Sequence, residues 1–333
     1  MQLSNENEHL MTKLSIIFPV FNEADNLGPL HSQITEVCDK LNMDYEMIFV
    51  DNGSHDLSLK TIRDLKKSDG KVKYISLSRN FGHQGGLFAG MSYASGEAII
   101  TMDADLQHPP DLIPTMLSLW NEGYQIVNTT KKQNHMNGIK GIQVRLFYWL
   151  ISRMSGVKLS FGQSDFRLID RKALDILLTM PERRKFIRGI VNWIGFSQTS
   201  IQYSVAERLT GQSKFSYRSL FSFALDGIFS FSTLPLRFFI GLGTSVALLS
   251  LLYAVIAASL GIAKYVYPNL QLPPGWATLA VAISFLGSVQ LIAIGVLGEY
   301  VGRIYEQTKG RPTFIVSEKD PDIKSIEDKW HRS

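Results

Sequence analysis

The chain has 333 residues, 45% of them hydrophobic and 19% charged, with a formal net charge of +4 and a single cysteine. That balance excludes a disordered chain, and the lone Cys38 excludes an intramolecular disulfide framework. The modest positive charge suits phosphate-bearing substrates and an anionic membrane face rather than nucleic acid.

The first 13 residues are polar and of mixed charge, with neither the apolar core nor the cleavage site of a signal peptide. From Leu14 the pattern alternates. Leu14 to Phe21, Tyr45 to Asp51, Val72 to Leu77, Ala98 to Asp103 and Gln125 to Asn128 read as short strands rich in Val and Ile. Between them Asn26 to Leu41, Leu57 to Lys67, Gly86 to Ala94 and Asp111 to Asn121 read as amphipathic helices. Such alternation predicts an α/β fold whose mostly parallel sheet is covered on both faces by helices. Ligands in that architecture gather beyond the carboxyl ends of the strands. There the chain carries Asn22-Glu23, Asp51-Asn52-Gly53-Ser54, Arg79-Asn80 and Asp103-Ala104-Asp105.

Beyond Lys131 the pattern is mixed. Ile139 to Met154 reads as a helix, Asp165 to Ile169 as a strand, and Ala173 to Leu178 and Phe186 to Ile194 as short helices. Phe215 to Phe231 is rich in Phe and Tyr and carries only Arg218 and Asp226 as charges. It reads as an amphipathic helix in the membrane interface, with an ordinary core-packing helix as the alternative. Phe238 to Ala263 and Tyr265 to Gly298 hold no charged residue, and each is long enough to cross a bilayer core. Arg218 and Arg237 precede the first run, and Arg303, Lys309 and Arg311 follow the second, while the short connection carries only Lys264. The positive-inside rule then predicts two spans with both termini cytoplasmic. The tail after Glu318 is polar and is expected to be loose.

The expected organisation is therefore a polar tail at 1–13, a catalytic domain at 14–214 and an interfacial helix at 215–232. Spans at 234–263 and 276–300 follow, joined by an external loop at 264–275, with a cytosolic tail at 301–333. Gly241, Gly243, Gly287, Gly295 and Gly298 would allow close helix packing in a homo-oligomer.

The chemistry is concentrated in Thr101-Met102-Asp103-Ala104-Asp105-Leu106-Gln107-His108-Pro109-Pro110. Alternation along an extended backbone would point Asp103 and Asp105 the same way, with Gln107 following. Two carboxylates suit Mg²⁺ or Mn²⁺, ions that fill their remaining positions with water and substrate phosphate oxygens. Asp51 either closes an Asx-turn over Asn52-Gly53-Ser54 or accepts hydrogen bonds from a base or ribose. Glu23 is either a helix-start carboxylate favoured by the dipole or a second contact to a nucleoside.

Ile17-Phe18-Pro19-Val20-Phe21-Asn22-Glu23, Phe49-Val50-Asp51-Asn52-Gly53-Ser54, Ser78-Arg79-Asn80-Phe81-Gly82-His83 and Met102 to Pro110, in that order, resemble the family 2 inverting glycosyltransferases. The resemblance is greatest to the polyprenyl-phosphate branch, which includes dolichol-phosphate mannose synthase and bactoprenol glucosyltransferases. It extends through Ser164-Asp165-Phe166-Arg167-Leu168 and Glu207-Arg208-Leu209-Thr210-Gly211-Gln212-Ser213-Lys214-Phe215 to the two apolar runs.

The resemblance implies a GT-A, Rossmann-like cytosolic domain followed by two transmembrane helices, an integral protein of the inner or plasma membrane. It implies that Asp51, Glu23 and the backbone near Pro19 hold the nucleoside, and that Asp103 lies beside the diphosphate. Asp105 and Gln107, with Asp103, would be the metal ligands. Arg145, Arg167, Arg208 and Lys214 would receive the lipid phosphate and the sugar-nucleotide phosphates. Asp165 would orient an Arg or sugar hydroxyls if it takes part. The implied donor is a UDP-hexose, UDP-glucose first, with galactose, N-acetylglucosamine, mannose and amino-arabinose donors as alternatives, and the acceptor is a polyprenyl phosphate. A processive synthase would carry a Gln-x-x-Arg-Trp motif that is missing around Trp193. A silent binding module would have no need of a leaving-group metal.

Overall fold

The computed structural model describes residues 13–132, 162–182, 185–204, 233–267 and 275–325. The expected helices at Ile139 to Met154 and Phe215 to Phe231 lie outside the described residues, as do Arg145, Arg208 and Lys214. Contacts divide the chain into two units, one holding the sheet and the segment from Arg311 onward, the other holding two long apolar helices.

In the first unit the alternation holds. Strands β1 (Leu14–Val20), β2 (Tyr45–Asp51), β3 (Val72–Leu77) and β4 (Ala98–Thr101) are separated by helices α1 (Ala24–Lys40), α2 (Ser58–Ser68) and α3 (His83–Tyr93). A 3₁₀ turn and α4 (Ile113–Asn121) lead to β5 (Ile126–Lys131), and β6 (Gln163–Asp170), α5 (Arg171–Thr179), α6 (Ile187–Trp193) and β7 (Gln198–Tyr203) follow. Among the described residues eight strands form one sheet, in the order β7-β5-β6-β4-β1-β2-β3-β8. β4, β1, β2 and β3 run parallel, whereas β6 is antiparallel to both β4 and β5.

β2 is buried throughout and β1 nearly so, as expected of parallel strands covered on both faces. Phe18 and Phe49 stack between neighbouring strands with ring centroids 4.9 Å apart. Helix α1 turns Leu27, Leu30, Ile34 and Cys38 inward at helical spacing. Helix α3 is buried along nearly its whole length, and a Cβ at Gly90 would come within 2.2 Å of Ile17 Cγ2. Glycine there lets the helix lie close on β1.

One buried charge is built into the sheet. Glu46 on β2 is 1% exposed and accepts hydrogen bonds from Ser15 Oγ (2.6 Å), Ser95 N (2.7 Å), Ser95 Oγ (2.8 Å) and Lys73 Nζ (2.5 Å). Burial alone would raise its pKa, but Lys73 and the serine donors hold it down to about 2.

Two strand ends differ from the sequence reading. β4 stops at Thr101, so Asp103 and Asp105 lie in the loop beyond it, and strand alternation does not set their directions. β5 runs on to Lys131 because β6 and β7 pair with it on both sides.

The second unit holds α7 (Leu234–Val266) and α8 (Trp276–Thr308). Segments Leu234–Ala257 and Val281–Thr308 are long and apolar enough to cross a membrane. Large apolar side chains along them, Phe238, Leu252, Ile283 and Leu291 among them, are more than half exposed.

The chain then rejoins the sheet. β8 (Val316–Lys319) pairs antiparallel with β3, and Ile315 O accepts from Ser78 N at 2.9 Å. Glu318 accepts from Tyr74 OH at 2.8 Å and pairs with Arg63, while Asp320, fully buried, lies 2.9 Å from Lys66 Nζ. Ile323 is 2% exposed. The segment after Glu318 is therefore docked as far as it is described, contrary to the expectation of a loose tail, because the open edge of β3 offers backbone partners.

Candidate active site

Three loops meet beyond the carboxyl ends of β1, β2 and β3. Asn22, at φ 56°, accepts from His55 N through Oδ1 at 2.8 Å, and its own N–H donates to Ser54 Oγ at 3.1 Å. Asn52, 3% exposed, donates to Gly82 O (3.0 Å) and accepts from Phe81 N (2.9 Å), tying the β2 loop to the one before α3. Gly53 makes this crossing possible. Its φ is +72°, and a Cβ there would sit 2.7 Å from the Arg79 carbonyl carbon.

Asp51 closes the turn that the sequence offered as one of two readings. Its Oδ1 accepts from Ser54 N and its Oδ2 from Ser76 Oγ, each at 3.0 Å, and it is 2% exposed. Glu23 precedes α1 without capping it through its side chain; its Oε2 accepts from Asn26 Nδ2 at 2.5 Å, and its N–H donates to Ser58 Oγ at 2.9 Å. Pro19, on β1 opposite Val50, lies one pair short of Asp51, which faces Val20.

The loop after β4 is shaped by Leu106 at φ 61°, a left-handed conformation that a non-glycine residue adopts rarely and at some cost. The turn brings Gln107 N within 3.2 Å of Asp105 Oδ1. Asp103, Asp105 and Gln107 are all partly accessible. Two imidazoles flank Asp103, of which His83 is within hydrogen-bond reach of its carboxylate. His83 Nε2 lies 2.7 Å from its Oδ1, and His108 Nε2 is 3.7 Å from its Oδ2.

His108 is 2% exposed and stacks on Phe166 at 5.2 Å. Asp103 N donates to its Nδ1 at 3.1 Å, so the ring proton resides on Nε2 and points to Ser164 Oγ at 2.9 Å. Burial lowers its pKa and keeps the ring neutral.

β6 brings in Asp165. Thr101 pairs with Arg167 in the antiparallel register, the last pair of that ladder before the acidic loop. Thr101 Oγ1 fixes the crossing by donating to Asp165 O at 2.5 Å. Asp165 is 5% exposed. Its Oδ1 accepts from Arg167 Nη2 (3.0 Å) and Arg188 Nε (2.9 Å), and its Oδ2 from Arg188 Nη2 (2.8 Å). His83 Nδ1 is 3.7 Å from the same Oδ2. Burial alone would raise the Asp165 pKa, but Arg188 and Arg167 hold it well below the usual carboxylate range. A carboxylate so held is a poor proton acceptor.

Arg167, expected to receive a phosphate, stands on β6 beside Asp165. It is fully buried, and burial lowers its pKa to about 10. Its Nη2 donates to Asp165 Oδ1 at 3.0 Å and to Ser164 O at 2.9 Å, while its Nε and Nη1 are buried without a hydrogen-bond partner among the described residues. Arg188, His83 and Gln84, whose Nε2 is 3.5 Å from Asp165 Oδ2, escaped the sequence reading as site residues. His83 was visible at the end of the Ser78 to His83 motif; Arg188 stands on a short helix with no local signal.

The parallel β4-β1-β2-β3 core, the antiparallel strand beside β4 and the acidic loop following β4 define an α/β domain of the GT-A type. The family model for glycosyl transferase family 2 matches residues 15–178. An uncharacterized glycosyltransferase of Synechocystis sp. is 44% identical over 92% of this chain and 95% of its own length. A bactoprenol glucosyl transferase of Shigella phage SfV is 39% identical over 91% of this chain and 98% of its own. The putative glycosyltransferase CsbB of Bacillus subtilis is 37% identical over 94% of each. Glucosyl-3-phosphoglycerate synthase of Mycobacterium tuberculosis, solved with Mn²⁺ and UDP-glucose, overlaps 66% of this chain and 77% of that one, at 18% identity and a TM-score of 0.43. The chain belongs to the family 2 glycosyltransferases.

The acidic loop fits a divalent ion held jointly with substrate. Among the described residues no group of three or more His, Cys, Asp or Glu side chains would hold an ion alone. One or two carboxylates and an amide oxygen, with substrate oxygens completing the shell, is the pattern Mg²⁺ and Mn²⁺ accept.

Proposed function

We propose that this protein transfers glucose from UDP-glucose to a polyprenyl phosphate at the cytosolic face of a membrane, with inversion at the anomeric carbon. The observation that carries the reading is the likeness to bactoprenol glucosyl transferases over 91% of the chain, a span that takes in both the acidic loop and the apolar helices. The composition supports it: a polyprenyl chain stays in lipid at ~0.8 kcal/mol per CH₂, so the active site must come to the bilayer.

In this reading Asp51, Glu23 and the Pro19 backbone contact the nucleoside, and Asp103 faces the diphosphate. Asp105 and Gln107, with Asp103, hold Mg²⁺ or Mn²⁺, which when bound neutralises charge on the departing nucleoside diphosphate. His83 and His108 fix Asp103 before substrate arrives. The acceptor phosphate, largely ionised at neutral pH, attacks as a ready-made nucleophile and needs no base. Arg145, Arg208 and Lys214 are assigned to phosphates. The 215–232 segment is assigned to the interface, and 234–263 and 276–300 to spans joined by an external loop at 264–275, with both termini cytoplasmic.

The test is incubation of the purified protein with undecaprenyl phosphate, Mg²⁺ and radiolabelled UDP-glucose, with UDP-galactose, UDP-N-acetylglucosamine and GDP-mannose as parallel arms. Label in the organic phase from UDP-glucose, carrying a β-linkage, is the expected result. Label from another donor alone replaces glucose, and none from any donor removes the reading.

A further inference from the structure

We propose that Tyr203 and Ser164 are positioning residues for the reaction: with His108 they form a buried hydrogen-bonded chain that holds the acidic loop in the shape that binds the metal. The inference rests on the metal reading above and carries it from the loop into strands β6 and β7.

The loop needs an outside anchor. Beyond Thr101 the β4 ladder has ended, and Leu106 takes a left-handed conformation that persists only where neighbouring contacts enforce it. His108 acts at both ends of the proposed ligand set. Its Nδ1 accepts from Asp103 N at 3.1 Å, and its own backbone follows Gln107 directly. Asp103 to Gln107 is thus a closed loop whose two ends meet at one imidazole. Where that ring sits decides how Asp103, Asp105 and Gln107 face a shared ion.

The ring is itself fixed from outside the loop. Ser164 Oγ, on β6, accepts from His108 Nε2 at 2.9 Å and from Phe166 N at 3.2 Å. Tyr203, at the end of β7, reaches over the intervening β5 and brings its OH within 3.2 Å of the same Oγ. Phe166 stacks on the imidazole at 5.2 Å, and the Tyr203 ring stands nearly perpendicular to it at 5.9 Å. His108, Ser164 and Tyr203 are 2%, 4% and 4% exposed, so a lost partner leaves a buried polar atom unsatisfied. A buried network satisfied in this way specifies one geometry, and the loop inherits it before substrate arrives.

Mn²⁺ titrations of the purified protein with UDP present, followed by the electron paramagnetic resonance signal of free Mn²⁺, test this without turnover. Tyr203→Phe removes one buried hydroxyl and should raise the Mn²⁺ Kd about three- to tenfold. His108→Phe keeps a stacked ring, loses both hydrogen bonds and should raise it by at least about 10-fold, the range for outer partners of metal ligands. His108→Asn, which can place an acceptor near the Nδ1 position, should bind Mn²⁺ more tightly than His108→Phe. Melting curves separate this from a purely stabilising chain, whose loss would lower the melting temperature and leave the Mn²⁺ Kd of the folded variants within about twofold of wild type. That result in Tyr203→Phe, and in each His108 variant that folds, overturns the proposal and leaves the metal reading standing. Tyr203→Phe, the mildest change, keeps the test decisive if His108→Phe does not fold. A wild-type protein that binds no Mn²⁺ in the presence of UDP removes both.

Discussion

His83 Nε2 lies 2.7 Å from Asp103 Oδ1, and the opposite nitrogen of the same ring is 3.7 Å from Asp165 Oδ2. The imidazole therefore stands between two carboxylates, one in the loop after β4 and one on β6. Burial pulls its pKa down, but the Asp103 hydrogen bond and both negative charges outweigh it and raise the value. The ring separates like charges that would otherwise repel.

Replacing His83 with Ala should lower kcat at least 10-fold while moving the melting temperature by only a few degrees. His83→Gln, which keeps an N–H donor toward Asp103, should retain more activity than Ala. Label transfer measured at saturating donor and acceptor checks this; kcat within twofold of wild type in the Ala variant contradicts the role.

Asp105→Ala should reduce transfer by at least ~100-fold with the fold unchanged, and excess chelator should do the same to wild type. Circular dichroism and the organic-phase assay provide the two readouts. Activity persisting in either condition sinks the metal assignment.

Gly53→Ala forces a side chain into the left-handed region and against the Arg79 backbone at 2.7 Å. A loss of about 2 kcal/mol or more is expected from strain and overlap together. Weaker UDP binding should accompany it, since the same crossing shapes the loops around Asp51. A melting curve matching wild type would show that the loops shift freely.

Stability should also report on Glu46. Its folded pKa of about 2 lies below the ordinary 4.5, so its contribution is complete above about pH 5 and is lost as pH falls toward 2. The difference corresponds to stabilisation on the order of 3 kcal/mol at neutral pH. Glu46→Gln should melt well below wild type at pH 7, and the gap should narrow by pH 3. Parallel curves across that range would refute the linkage.

What the sequence revealed divides by distance along the chain. β2 and β3 were legible to the residue because each is a short, mostly apolar stretch with β-branched and aromatic residues, bounded by polar turns. β7 and β8 were not, since Gln198–Tyr203 and Val316–Lys319 alternate exposed and half-buried positions and mean little until a partner edge exists. The acidic loop was legible as chemistry, but its geometry was not. That Asp103 meets His83 and that Asp165 is clasped by Arg188 are contacts between segments 20 and 23 residues apart, which no local pattern encodes.

β8 carries a further consequence. Ser317 bonds to Ser76 across 241 positions, so the outer edge of β3 remains uncovered until the chain has been made as far as β8. Both apolar helices are made in that interval. During synthesis the domain must wait with one flank bare while two long apolar helices emerge, and a prematurely stopped chain would keep that strand edge open.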